Sequence, residues 1–261
     1  MDLQVKDRAF LVAGGSAGLG LGTATLLARE GARVSICGRD PVRLQTALDD
    51  LHVLDPRAHG RALDLRDGAA LAAWVDEAAR LFGRLDGVLV NAGGPPRGGL
   101  ESLDDAAWQA AWELNLLSAV RLVRAVRPHL RAAGGGSIVA VTSGSAREPI
   151  DGLLLSNVLR PGVGALMKSL SRELAPEGIR CNSLAPGFID TERLRSLEAA
   201  MAAEAGRTRV EQEARLCAEV PLGRYGRVEE FAHAAVFLLA PVSSYLSGVQ
   251  LPVDGGRQRS G

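Results

Sequence analysis

Residues 9–22 read AFLVAGGSAGLGLG, and everything else in the chain is interpreted outward from them. A short apolar run, the makings of a buried strand, passes directly into Gly14, Gly15, Gly18 and Gly20, and a helical Ala/Leu pattern follows to Glu30. Glycines let the backbone turn sharply, leave its amides bare and bring a helix N-terminus close to whatever sits in the turn. A strand, a glycine turn and a helix in that order can grip the pyrophosphate of a dinucleotide. The same turn can also be purely structural, and the cluster by itself leaves that alternative open.

The alternation continues to the C-terminus. RVSIC precedes PVRLQTALDDL, RAHGRALDL precedes GAALAAWVDEAARLF, and GVLVNAG precedes the long Ala/Leu segment from Asp104 to Ala133. SIVAVTS, LLLSNVLRPGVGALMKSL, IRCNSLAPG and finally VQLPVDGG complete it. Strands that read as continuous apolar runs between helices indicate an α/β fold with a parallel sheet covered on both faces. No linker, low-complexity tract or repeat interrupts residues 1–261, so a single domain is expected. A charged helical segment at about 192–220 breaks the alternation; it is either a cover over a ligand or a solvated surface helix pair.

Lys plus Arg and Asp plus Glu balance at 30 each. No overall field therefore draws the chain to nucleic acid or an anionic membrane, and the expected partner is a small molecule. Cys37, Cys181 and Cys217 are scattered, as are the four histidines, so neither a disulfide framework nor metal-ligand spacing is present. No signal-peptide layout or membrane-length apolar run is seen, which points to the cytoplasm.

AGGSAGLG at 13–20, Asp64 in ALDL, VNAG at 90–93, Asn115, Ser143, APGFIDT at 185–191 and VDGG at 253–256 follow one another in a specific order. In order and spacing this set resembles the short-chain dehydrogenase/reductase family, in its 3-oxoacyl-acyl-carrier-protein reductase branch, over essentially the whole chain. The resemblance implies a single Rossmann-type, doubly wound sheet of seven parallel strands, a nicotinamide cofactor, a carbonyl or alcohol substrate and a homo-oligomer, tetramer or dimer. It also implies that Gly14, Ser16, Gly18, Leu19 and Gly20 form the pyrophosphate loop and that Asp64 with Leu65 meets the adenine. Asn91, Ala92 and Gly93 would floor the cofactor site, with Pro186, Gly187, Ile189 and Thr191 flanking the nicotinamide and its phosphates. Asp64 as a helix cap and Pro186-Gly187 as a plain turn are the structural alternatives. Ala13 stands where the family usually has threonine.

The choice of nicotinamide cofactor is read in RVSICGRD. An acidic residue at the end of this strand would bond the ribose 2′-hydroxyl of NAD, whereas arginine accommodates the 2′-phosphate of NADP. Arg39 follows Gly38, and Ser16 can add a hydrogen bond, so NADP is expected over NAD. Asp40 directly before Pro41 reads as a helix N-cap.

The family's reactive tyrosine and the lysine four residues beyond it fall on Ser156 and Arg160. Tyrosine starts near pKa ~10 and a neighbouring cation can lower it, whereas an aliphatic hydroxyl is a far poorer acid. Arginine supplies charge but does not relay protons. The chain has only two lysines, Lys6 and Lys168, and two tyrosines, Tyr225 and Tyr245. Lys168 lies about 12 Å along the helix from Arg160, and Tyr225 reads as a packed loop residue. Pro161 either kinks the helix or begins it.

Ser143 remains to polarise a carbonyl and Asn115 to hold a water chain; Glu148 and Asp151 are the nearest replacement acids. Arg97 with Arg160 would favour an anionic substrate, although Arg97 also reads as a surface residue. Trp108 and Trp112 form a helical stripe for the core or a subunit contact. The leading expectation is an atypical NADP-dependent short-chain oxidoreductase; the alternative is a catalytically impaired NADP(H)-binding sensor or scaffold. Halohydrin dehalogenases resemble the family and carry arginine at the lysine position, but they keep the tyrosine and give up the cofactor, the reverse of this chain.

Overall fold

The computed structural model describes residues 2–259. Seven parallel strands form one sheet: β1 (Ala9–Val12), β2 (Arg33–Gly38), β3 (His59–Ala62), β4 (Gly87–Val90), β5 (Gly136–Val141), β6 (Ile179–Pro186) and β7 (Gln250–Val253). Their order is β3-β2-β1-β4-β5-β6-β7, so the chain reverses its direction of winding between β1 and β4. In open α/β sheets a ligand crevice opens at that switch point, beyond the carboxyl ends of the strands.

One face of the sheet carries α1 (Gly18–Arg29), α2 (Pro41–Leu54) and α9 (Val228–Leu239), which bury Leu27, Leu51 and Phe231 against Phe10 and Ile36. The other carries α3 (Gly68–Phe82), α5 (Ser118–Ala132) and α6 (Leu154–Glu173), with Trp74, Leu122 and Val163 packed on Leu11 and Ile138. β1 and β4 are buried along their whole length, which is why their sequences lack the apolar/polar alternation of a one-sided strand. A polar residue inside the sheet is satisfied locally: Ser35 Oγ accepts from the Trp74 indole at 2.8 Å.

Local chemistry sets the helix starts. Asp40 caps α2 by accepting from the amides of Val42 and Arg43, with Pro41 in the first turn, and Asp67 caps α3 in the same way. Because Asp67 fills that position, Asp64 is not the cap.

Three features depart from the simple alternation. α4 (Asp105–Trp112) passes into α5 through a π-helical turn, Glu113–Leu117, with Asn115 inside it. α6 runs unbroken from Leu154 to Glu173 with Pro161 in its interior, so Pro161 does not begin the helix. Between β6 and α9 stand two helices, α7 (Glu192–Glu204) and α8 (Arg209–Ala218), packed against each other.

Candidate active site

The crevice starts where β1 ends. Gly14 and Gly18 hold φ of 58° and 53°, a region closed to most side chains. A Cβ on Gly20 would overlap the carbonyl oxygen of Gly14, so the loop can fold back on the first turn of α1 only with glycine there. Asn91, at the end of β4, donates its amide to the carbonyl oxygens of Ala13 and Gly14 at 3.2 and 3.3 Å. That side chain ties the two strands together across the switch point.

A cavity of about 590 Å³ opens above this junction. Gly14, Ser16, Gly18 and Leu19 line it from the loop, and Asn91, Ala92 and Gly93 from β4. Pro186, Gly187, Ile189 and Thr191 line it from the end of β6. Gly20 does not face the cavity; it shapes the loop from behind. Leu65 lines it, but Asp64 does not. The Asp64 carboxylate is forked by Arg66, at 2.7 Å for the closest pair, and this hydrogen bond above all holds its pKa below the usual carboxylate range.

At the end of β2, Gly38 has no room for a side chain because Ser16 Oγ lies 2.5 Å from where its Cβ would be. Arg39 lines the cavity beside Ser16, exposed and without a hydrogen bond or salt bridge among the described residues. Asp40, the potential acidic competitor, is occupied in capping α2. The residues present therefore fit a dinucleotide with a phosphorylated ribose: bare amides at a helix N-terminus, glycines that permit close approach, and an uncommitted guanidinium at the ribose end.

The opposite end holds the groups suited to reaction. Ser143 Oγ accepts from the Ser145 amide at 3.1 Å and from the Ser145 hydroxyl at 3.0 Å. Ser145 Oγ lies 2.9 Å from Ser156 Oγ. Since the single hydroxyl hydrogen of Ser145 goes to Ser143, Ser156 is the donor to Ser145, and the hydrogen of Ser143 is left for a ligand oxygen. Ser145 and Ser156 are buried, while Ser143 and Ser156 line the cavity.

One turn below Ser156, Arg160 is 7% exposed and donates from Nη1 to Val141 O at 2.9 Å and from Nη2 to Ala92 O at 3.2 Å. Burial, with Arg193 adding repulsion, pushes its pKa down to about 10, which still leaves a cation at neutral pH. A second cavity of about 10 Å³, around the lower limit for one water, lies between Arg160 and Asn115. Asn115 donates to Ala111 O, and its Oδ1 is buried with no hydrogen-bond partner among the described residues.

No tyrosine or lysine is among the described residues that line the main cavity. Tyr225 packs edge-on against Phe188 with centroids 6.1 Å apart, outside the cavity lining, and burial raises its pKa. Neither Glu148 nor Asp151 lines the cavity; Glu148 Oε1 accepts from the Arg259 amide. Arg97 does not line it either, but pairs with Glu204 on α7 at 3.1 Å.

The arginine that does join Arg160 is Arg193, on the first turn of α7. Trp108 packs with Leu155 and Leu159 of α6, whereas Trp112 is 39% exposed.

The family model described as enoyl-(acyl carrier protein) reductase matches residues 13–258. The 3-oxoacyl-(acyl-carrier-protein) reductase FabG of Chlamydia pneumoniae is 32% identical over 257 residues, covering 98% of this chain and 99% of that protein. This chain belongs to the short-chain dehydrogenase/reductase family. Two solved structures extend the likeness.

L-sorbose reductase from Gluconobacter frateurii, complexed with NADPH and L-sorbose, superposes with a TM-score of 0.94 at 29% identity over 100% of both chains. A short-chain oxidoreductase from Pseudomonas aeruginosa PAO1 containing an atypical catalytic center, with NADPH bound, gives 0.89 at 31% identity over 98% of both. Membership of this oxidoreductase family agrees with the sheet order and the glycine crevice.

Sequence reasoning did not find Ser145, Arg193 or Arg257 as cavity residues or their neighbours. Arg257 lines the cavity, lies 4.4 Å over the Phe188 ring and pairs with Glu219. For Ser145 a signal existed, the hydroxyl two residues beyond Ser143 in TSGSA; for Arg193 and Arg257 there was none, because long-range folding alone brings them in.

Proposed function

We propose that this chain is an NADP(H)-dependent oxidoreductase that interconverts a carbonyl and its alcohol, in the manner of 3-oxoacyl thioester reductases, with a serine chain where the family has tyrosine. The observation that carries the reading is the line of hydroxyls from Ser156 through Ser145 to Ser143, ending in the cavity above a buried cation. NADPH in the two solved relatives supports NADP(H) as the cofactor, and so does the free Arg39 beside Ser16. The atypical catalytic center of the Pseudomonas relative supports a non-standard centre within this fold.

A nicotinamide held by the glycine loop, Arg39 and the β6 end would supply hydride to, or take it from, the carbonyl carbon. Ser143 donates its free hydrogen to the substrate oxygen, and the two bonds it accepts from Ser145 polarise that hydroxyl. As negative charge develops on the oxygen, the proton passes from Ser143. Ser145 refills Ser143, Ser156 refills Ser145, and cavity water refills Ser156. Arg160 holds positive charge beneath this path and fixes the ends of β4 and β5 through Ala92 and Val141. A serine hydroxyl is a weak acid, so slow turnover is expected relative to tyrosine-bearing relatives.

The lack of tyrosine and lysine in the cavity lining favours a second reading, an NADP(H) sensor or scaffold without turnover. NADPH consumption measured across ketones, quinones and acyl thioesters separates the two. Turnover that falls about 10²- to 10³-fold in Ser143→Ala is expected, and Ser156→Tyr combined with Arg160→Lys should raise the rate. Tight NADPH binding with no turnover on any of these compounds would replace the oxidoreductase reading with the sensor.

A further inference from the structure

Several arginines near the cavity are neutralised. Arg43 is forked by Glu192 at 2.7 and 2.9 Å, Arg257 pairs with Glu219 and Arg97 with Glu204. Arg160 and Arg193 are the exceptions at the reacting end. Neither has a carboxylate within salt-bridge range among the described residues, and both line the cavity that Ser143 and Ser156 also line. Arg160 sits in the floor. Arg193 enters from α7 above and donates from Nη2 to Pro95 O at 2.8 Å, with its guanidinium packed against Gly94.

Burying the Arg160 guanidinium without a counter-charge is costly, and the exposed, unpaired Arg193 nearby adds repulsion to that cost. Backbone carbonyls satisfy some of the hydrogens but none of the charge. A structure that keeps two uncompensated cations at one end of a ligand cavity is therefore completed by an anion that arrives with the ligand.

We propose that Arg160 and Arg193 form an oxyanion subsite at the reacting end, which takes the carboxylate of an oxo- or hydroxy-acid substrate. The lowered pKa of each, caused first by burial, is consistent with this arrangement. Arg193 is the selective element, since it is the exposed one of the two and its guanidinium can donate to a carboxylate oxygen from the cavity wall. Arg160 contributes the fixed charge below. The inference rests on the cavity being an NADP(H) site, because bound cofactor confines a second ligand to this end. A cofactor phosphate offers the same chemistry as a carboxylate, and the experiment has to tell the two apart.

Calorimetry on the full chain loaded with NADP⁺, which prevents reduction during the titration, compares acetoacetate and levulinate with their methyl esters. The acids are expected to bind at least tenfold more tightly than the esters. Arg193→Gln should remove that preference while leaving the NADP⁺ dissociation constant within about twofold, and Arg193→Lys should keep part of it, at a preserved melting temperature. Equal binding of acids and esters, or no binding of the acids, overturns the proposal. So does a tenfold loss of NADP⁺ affinity in Arg193→Gln with acid binding unchanged, which would assign the arginine to a cofactor phosphate. Should NADP⁺ and NADPH both fail to bind, the functional reading falls separately, and the same acid-against-ester comparison on the free protein decides the subsite.

Discussion

Arg39 and Asp40 are neighbours in sequence with opposite charges, and the structure separates their roles. Asp40 spends its carboxylate on two α2 amides, which leaves Arg39 the only charged group at the end of β2 facing the cavity from that strand. Arg39→Ala should weaken NADPH binding by about tenfold or more and leave NADH binding nearly unchanged; calorimetry with both cofactors checks it, and equal losses would count against a 2′-phosphate contact. The cap was legible from Asp-Pro alone, because capping is local chemistry. The partner of Ser156 was not. Its hydroxyl meets Ser145, eleven residues earlier, only because the loop after β5 folds back over the start of α6.

At the level of elements, helix ends and inter-helix ties carry consequences that can be measured. Glu230 accepts from the Arg227 amide at the start of α9 and pairs with Arg224 at 2.7 Å. The Arg224 hydrogen bond first, then the backbone amide, hold its pKa down to about 2 from 4.5. Its folded pKa is depressed, so its contribution is complete above about pH 4.5 and is lost as the pH falls toward about 2. Glu230→Gln should therefore melt below the native chain at pH 6, with the gap closing near pH 2. α7 is tied to α2 through the fork between Glu192 and Arg43, both more than half exposed. Exposed pairs add little to global stability, so Glu192→Gln should barely move the melting temperature yet speed amide exchange in the first turn of α7. Unchanged exchange would show that packing, and not the fork, holds α7 over the cavity. The segment at 192–220 was visible in sequence as a break in the alternation. That its first turn faces the cavity through Arg193 and Leu194 was not, since periodicity does not say what a surface helix lies against.

Across the whole molecule, two apolar layers enclose the sheet, and they also set the reactivity of its thiols. Burial pushes the thiols of Cys37 and Cys181 up to about 12, whereas Cys217 on α8 is only partly buried. Thiolate is the reactive form, so iodoacetamide at pH 8 should label Cys217 first in the folded chain and all three cysteines only after denaturation. Rapid labelling of Cys37 or Cys181 would mean that the sheet opens locally. No helix among the described residues is long and apolar enough to cross a membrane. The sequence by itself determined the alternating α/β plan, the glycine crevice, the N-caps and the substitution of serine and arginine at the two reactive positions, because each of these is written in contiguous residues or fixed spacings. Only the tertiary structure decided that Arg193 and not Arg97 accompanies Arg160, and that Ser156 joins Ser143 and Ser145 in one hydrogen-bonded line. Those outcomes depend on which side chains from distant segments come within a few ångströms of one another, and short-range polar contacts are fixed by packing rather than by order along the chain.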